Sequence, residues 1–459
     1  MSLKVTAIFD IGKTNKKFFL FDENLHEVYQ EYIQFSTIVD DDGFECDDLD
    51  AIEQWMLRTY KAISSNEKFA VQAINFSAYG ATMVHLDESL KPVTPLYNYT
   101  KPYPAAILEL FTKKYGELQT WSQQTASPAL GMLNAGLQLF WVKYQKPELF
   151  CKIKYSLFLP QYFSFLFSKK LVSEYTGIGC HTGMWHFEHN DFHSWLYEEG
   201  FVELLPAIDT KQKFSEIPGT SLRVGAGIHD SSAALIPYLN NNSEPFILLS
   251  TGTWSICLNP FNNTALTKEE LAQDCLCYLQ PNGKPVKASR LFLGNEYNGW
   301  IKKLAKHFGV DESFHKKVMY DAILFNKAER ILSPLFLWES ITHPNNEITR
   351  LTNMDLSWFE SFEEAYHHLI KELVDLQVEK LLLVMNGKNI KKIFLDGGFV
   401  DNLIFINMLS AKLPDFEIIP SQIPLGSAIG AALAIKQHWI NHPISCNIIA
   451  LNRCTVQKG

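Results

Sequence analysis

The feature that most constrains this chain is a pattern that occurs twice. Val5–Phe9 is apolar, Asp10-Ile11-Gly12-Lys13-Thr14-Asn15-Lys16 turns polar, and Lys17–Phe21 is apolar again. Short apolar runs joined by a glycine-containing polar stretch predict a β-hairpin with a polar tip. Phe246–Ser250, Thr251-Gly252-Thr253 and Trp254–Leu258 repeat that pattern past the middle of the chain. Each copy later carries a helix and then a strand ending at glycine. In the first, Leu49, Ile52, Met56, Tyr60 and Ile63 recur at helical spacing behind the candidate N-caps Asp47 and Asp48. Phe69–Phe76 then runs into Ser77-Ala78-Tyr79-Gly80. In the second, Phe362–Val384 is a long helical pattern, and Lys392–Leu395 runs into Asp396-Gly397-Gly398. Few residues coincide, so the repetition is of pattern and not of sequence. It predicts a duplicated α/β chain with domains 1–240 and 241–459 facing a cleft. Their boundary is set in the polar run Asn240-Asn241-Asn242-Ser243-Glu244.

The remaining patterns fill in around these units. His26–Phe35 and Met83–Asp87 read as strands, and Gly116–Gln123, Ala129–Lys146 and Pro160–Ser168 as helices. Arg223–Pro237 opens with Gly225-Ala226-Gly227 and continues as a helix. Leu403–Lys412 reads as a helix, Phe416–Ile419 as a strand and Leu425–His438 as a helix.

A length of 459 residues gives room for two to four domains at about 100–200 residues each. The net charge of −9 speaks against the broad basic face that a nucleic acid requires. It leaves a nucleotide open, because backbone N–H groups and one cation can hold phosphates locally. The eight cysteines are scattered without a CxxC, which places the chain in a reducing cytoplasm. The start Met1-Ser2-Leu3-Lys4 has no apolar leader, and no apolar run approaches the ~20 residues of a membrane span. No membrane partner is expected, and a homodimer is left open.

Four stretches carry candidate chemistry. On the first tip, N–H groups around Gly12 can converge on phosphate oxygens while Asp10 holds a metal. The same residues also suit a plain turn. On the second, Ser250, Thr251, Thr253 and Ser255 surround Gly252, either as a phosphate cradle or as an ordinary turn. In Gly227-Ile228-His229-Asp230-Ser231-Ser232 a carboxylate opens a helix. It can cap that helix, act as a general base kept ionised at the positive helix end, or do both. Gly397-Gly398 lets the backbone approach a flat ligand. His181, His186, His189 and His193 match no zinc spacing and read as a surface or loop cluster.

Taken together these motifs resemble the FGGY family of carbohydrate kinases. Asp10–Lys17 is similar to the family's first phosphate motif and Leu249–Ser255 to its second. Asp396–Asn402 is similar to its adenosine motif, and Pro424–Ala432 to the glycine- and alanine-rich helix that follows. Leu159-Pro160-Gln161-Tyr162-Phe163 and Ser173-Glu174-Tyr175-Thr176 fit its central segment. The likeness spans nearly the whole chain. It is strongest to rhamnulokinase-like members, whose motifs His229-Asp230-Ser231, Leu249–Ser255 and Asn295 with Trp300 resemble.

The resemblance implies an α/β fold of two actin-like/ribonuclease H-like ATPase domains flanking a cleft. It implies ATP and Mg2+ as cofactors and a small sugar, a ketose such as L-rhamnulose, as acceptor. Asp230 becomes the catalytic base, with Asp10 and Asp230 on the metal. Gly12, Lys13, Thr14, Asn15, Lys16, Lys17, Thr251, Gly252, Thr253, Gly397, Gly398 and Asn402 are implied around ATP. Gly80, His229, Asp230 and Asn295 are implied around the sugar. The competing expectation is a non-catalytic sugar or nucleotide sensor, or another ATPase of this fold. Two departures stand out. Many members carry an Asp-Arg pair where this chain has Tyr97-Asn98-Tyr99-Thr100-Lys101-Pro102, and Lys13 replaces a small residue.

Overall fold

The first hairpin forms as its pattern predicts. β1 (Leu3–Ile11) pairs antiparallel with β2 (Lys16–Phe21), with Ile11 opposite Lys16 at the tip. β2 pairs with β3 (Glu27–Ile33), an edge strand that is exposed or half-buried throughout. Helix α1 (Leu49–Ser64) starts where Asp48 accepts the Ala51 N–H at 3.0 Å. It buries Ile52, Trp55, Met56 and Ile63 against the sheet, each worth roughly 1.5–3 kcal/mol of apolar burial. β4 (Phe69–Ala78) runs parallel to β1 and is its inner neighbour.

The middle of the chain is helical, including α2 (Ala135–Gln145) and α3 (Leu159–Ser168). The helix expected over Ala129–Lys146 begins later than its pattern suggests. Asn134 accepts the Leu130 N–H and donates to the carbonyls of Pro128 and His181, so the chain turns there before α2. The expected helix from Arg223 also changes. Arg223–Val224 (β5) and Ile228–His229 (β6) are short strands beside β4, because Gly225 and Gly227 carry the chain along that sheet edge. The helix α4 starts at Asp230 and runs to Asn241.

The second half repeats the path. β7 (Phe246–Thr251) pairs antiparallel with β8 (Ser255–Asn259), and Thr251 faces Ser255 at the tip. β9 (Cys275–Leu279) and β10 (Pro285–Leu291) extend the sheet beyond β8. After α5 (Leu293–Phe308) and α6 (Phe362–Val384), β11 (Lys392–Gly397) lies parallel to β7 as β4 does to β1. Helix α7 (Leu403–Lys412), β12 (Glu417–Pro420) and α8 (Gly426–Ala434) complete it. The sheet orders are β5-β4-β1-β2-β3, with Ser215–Glu216 outside β5, and β9-β10-β8-β7-β11-β12.

This computed structural model describes residues 2–209, 215–216, 222–338, 355–385, 390–421, 425–436 and 440. Pro424 and His438, named in the expected motif and helix, lie outside the described residues. Helices α4 and α8 lie between the two sheets. One apolar cluster joins Ile8 and Phe19 of the first sheet, Leu248 and Phe394 of the second, and Ala233, Ala428 and Ala431 of the two helices. The helices touch backbone to backbone: a Cβ on Gly430 would sit 1.8 Å from the Ala233 carbonyl oxygen. Among the described residues no helix is long and apolar enough to cross a membrane.

Candidate active site

Two cavities meet at Asp230. The larger, about 960 Å³, is lined from the first half by Tyr79, Gly80, Tyr99, His181 and His229, and from the second by Thr253, Trp254, Asp274 and Arg290. The smaller, about 270 Å³, runs from Asp230 and Ser231 past Ser250 to Asp396, Gly397, Gly426 and Ser427. Asp230 is the titratable side chain on both linings. A third cavity, about 460 Å³, lies farther along the second half and includes Tyr297, Tyr366, Gly398, Phe399 and Asn402 in its wall.

Asp230 is the first residue of α4, at the positive end of the helix. Its Oδ1 accepts the Ser231 N–H at 2.6 Å and the Ser231 hydroxyl at 3.2 Å. Burial in the cleft pushes its carboxyl up to about 6, so it is a carboxylate at neutral pH and a stronger base than an exposed one. His229 is buried beside it, with Nε2 at 3.2 Å from Oδ1. Burial lowers the imidazole to about 3 and keeps it neutral.

Asp10, one residue before the end of β1, comes to the same place. Burial pushes its carboxyl up, Lys17 pulls it down, and Asp230 pushes it up again. Lys17 Nζ stands 3.9 Å from Asp10 Oδ2, and the Ser427 hydroxyl donates to that oxygen at 3.1 Å. Two neighbouring carboxylates, one of them beside Lys17, suit a hard divalent cation such as Mg2+.

The rest of the first tip is arranged differently from expectation. Lys16 is buried and donates to Asp47 Oδ1 at 2.9 Å and to the Lys13 carbonyl at 2.8 Å. It is committed inside the fold and is not a phosphate ligand, because a buried ammonium needs its counter-charge. Lys13 donates to Asp47 Oδ2 at 2.6 Å and lies 5.3 Å from the ring centres of Tyr79 and Tyr99. Gly12 donates its N–H to the Asn15 carbonyl, Asn15 accepts from Gln34, and Thr14 is exposed.

On the second tip, strand alternation decides which hydroxyls face out. Thr251 is buried, donates to the Asp396 carbonyl at 2.6 Å and accepts the Phe399 N–H at 3.1 Å. The expected phosphate role of its side chain is therefore corrected: it ties the hairpin to the turn after β11. Ser255 is likewise turned inward, onto Gln377. Gly252 and Thr253 are exposed, and Ser250 faces the smaller cavity. Gly397, at φ +88°, has no room for a Cβ, which would sit 1.8 Å from the Thr251 carbonyl oxygen. Gly398 donates its N–H to that oxygen at 2.7 Å. Asn402 caps α7 through the Phe405 N–H and donates to the Tyr366 hydroxyl. Asn295 is exposed on α5 and lines none of the three cavities, so the structure does not bring it to the sugar side.

Residues 5–209 match the N-terminal domain of the FGGY family of carbohydrate kinases, and residues 243–443 match the carbohydrate kinase FGGY C-terminal domain. The chain belongs to the FGGY family of carbohydrate kinases. A rhamnulokinase from Halalkalibacterium halodurans is 26% identical over 92% of this chain and 89% of its own length. The crystal structure of a carbohydrate kinase from Novosphingobium aromaticivorans aligns with TM-score 0.75 at 21% identity, covering 95% of this chain and 92% of the other. That of a ligand-bound xylulose kinase from Lactobacillus acidophilus aligns with TM-score 0.77 at 14% identity, covering 98% and 93%. The fold is that of the two-domain kinases, and the chain is a sugar kinase that phosphorylates with ATP.

Several residues in and behind this FGGY kinase's cleft carry no local signal. Asp47 is one, met only as a candidate cap. Lys13, Lys16 and the Tyr79 hydroxyl all converge on it. The two lysines outweigh its burial and hold its carboxyl below the usual range. Arg290 is another, donating to Asp274 at 2.7 and 3.2 Å beneath Trp254. His181 separates from the other three histidines: it is buried on the wall of the larger cavity, while His186, His189 and His193 stack on one another. The departing segment is fastened by Lys101, which donates to Asp40 and Asp42 and leaves Tyr99 on the cavity wall.

Proposed function

We propose that this kinase transfers the γ-phosphoryl group of ATP to a primary hydroxyl of a small ketose, L-rhamnulose or a related deoxyketose or pentulose. The observation that carries the reading is the position of Asp230 on the linings of both cavities. The larger cavity takes the sugar. The smaller takes the phosphates, with Lys17, the hydroxyls of Ser250 and Ser427, and the N–H groups around Gly252. The cavity beyond Gly398 takes the adenosine. Asp230 accepts the hydroxyl proton as the sugar oxygen bonds to the γ-phosphorus and the bond to the bridging β,γ-oxygen breaks, releasing ADP. Asp10 and Asp230 would hold Mg2+, which supplies charge neutralisation at the phosphates. The likeness to a rhamnulokinase supports the ketose. So does the apolar and aromatic part of the sugar cavity, Leu130, Leu133, Tyr278 and Phe292, which suits a deoxygenated carbon. In this reading domains 1–240 and 241–459 close on the sugar, because an open site would give the phosphoryl group to water.

The test is Asp230→Asn. It should keep ATP binding by calorimetry and lose about 10²–10⁴-fold in sugar-dependent turnover. A near-normal kcat would defeat the assignment. A coupled ADP-release assay over L-rhamnulose, L-fuculose, D-xylulose, L-ribulose and glycerol ranks the acceptors. No release with any of them would favour a sensor instead.

A further inference from the structure

A buried chain of protein groups runs up to Asp230 from behind, and no motif accounts for it. At its far end, His181 Nδ1 lies 3.1 Å from the Leu133 carbonyl oxygen. A carbonyl only accepts, so Nδ1 carries the proton of that neutral ring and Nε2 is bare. The donor within reach of Nε2 is the Cys180 thiol, with Sγ 3.4 Å away. A thiol has one proton. With it directed at His181, the sulfur is left as an acceptor on its other side, where His229 Nε2 lies 3.1 Å away. That nitrogen therefore carries the proton of His229.

The second neighbour of the same nitrogen agrees. It is Asp230 Oδ1 at 3.2 Å, which when ionised also only accepts. His229 Nδ1 is then bare and faces the Ser232 hydroxyl at 3.2 Å, whose oxygen also lies 3.4 Å from the Leu279 carbonyl oxygen. The negative charge of Asp230 beside Nε2 favours this tautomer over the other. Space is tight as well: a Cβ on Gly80 would lie 2.3 Å from Cys180 Sγ. At the near end, Oδ1 receives the Ser231 N–H and the Ser231 hydroxyl, and His229 Nε2 stands 3.2 Å from it. Oδ2 is the oxygen left for the cleft.

We propose that Cys180 and His181 are positioning residues for phosphoryl transfer, holding His229 in the tautomer whose Nε2–H faces Cys180 Sγ and Asp230 Oδ1. This rests on Asp230 being the base. The thiol acts as a sorter of protons. It hands none to the substrate, and it decides which carboxylate oxygen the substrate meets.

The test compares Cys180→Ala and Cys180→Ser with the wild type and Asp230→Asn. The acceptor is the best of L-rhamnulose, L-fuculose, D-xylulose, L-ribulose and glycerol in the coupled assay. Cys180→Ala should lower kcat about 10- to 100-fold through misplacement of the base, with KM for ATP unchanged. Cys180→Ser keeps one donor and one acceptor and should return kcat to within about threefold of wild type. Histidine 15N spectra of the protein alone, with His229 identified through His229→Asn, should show the Nε2–H form in wild type and Cys180→Ser. In Cys180→Ala they should show a mixture of tautomers. Wild-type kcat in Cys180→Ala, an equal loss in both cysteine variants, or the Nδ1–H form in wild type would each overturn the proposal. An active Asp230→Asn would instead remove the base itself, a different result from an inert cysteine.

Discussion

The tip between Ile11 and Lys16 and the tip between Thr251 and Ser255 sit at the same point of two matching sheets, yet they carry opposite chemistry. Asp10, Lys13, Lys16 and Lys17 charge the first, while residues 250–255 hold no titratable side chain. Charge so close to a buried strand has to be answered, and Asp47 answers two of the lysines from the start of α1. The neutral tip needs no such answer. It spends a hydroxyl on holding the turn at Asp396–Phe399 and presents backbone to the cleft. A repeated frame thus divides its work: one half supplies charge, the other supplies shape.

Removing the counter-charge should break the first tip hardest. Asp47→Ala strands Lys16 in the interior and should cost about 3–5 kcal/mol, read from the urea midpoint. A loss under 1 kcal/mol would mean that Lys16 finds water. Acid probes the same side. With the Asp230 carboxyl raised to about 6, protonation removes the base as pH falls. The rate should therefore drop about tenfold per unit below pH 6 and level off above it. A rate flat down to pH 4.5 would remove Asp230 from the titration.

The neutral tip should fail by geometry instead. Gly397→Ala forces a left-handed backbone on a residue with a Cβ against the Thr251 carbonyl, costing about 1–3 kcal/mol before the clash is counted. Gly398→Ala meets that oxygen only at 3.9 Å, so its melting temperature should hold. The smallest effects should separate two threonines. Thr251→Val orphans its partners and should cost about 1–3 kcal/mol. Thr253→Val should stay within about 0.5 kcal/mol in stability while lowering kcat/KM. Equal melting curves for the two would erase the inward–outward distinction.

What could be read from the sequence was what repeats locally. Short apolar runs beside glycine-containing turns marked β1, β2, β7 and β8, which are buried on both faces, and helical spacing marked α1 and α6. Asp230 was legible as a carboxylate opening a helix. Asp47 was not, since its ligands stand 31, 32 and 34 residues away. The strands at Arg223–Val224 and Ile228–His229 were also hidden, because two residues are too few to show alternation and only pairing with distant strands, β4 above all, makes them strands. Thr251 and Thr253 look alike on paper, and only the registry of β7 against β11 separates them.

The bare contact between Gly430 and Ala233 has a mechanical consequence. Helices that interlock through long side chains must lift knobs from holes before they can shift. Two helices lined here by alanine and glycine meet as a smooth bearing. In the proposed closure the halves would swing about it with almost no rotamer to re-sort. Asp230 heads one of the two helices, so it would ride on the axle. As the jaws travelled, the proposed base would stay in place.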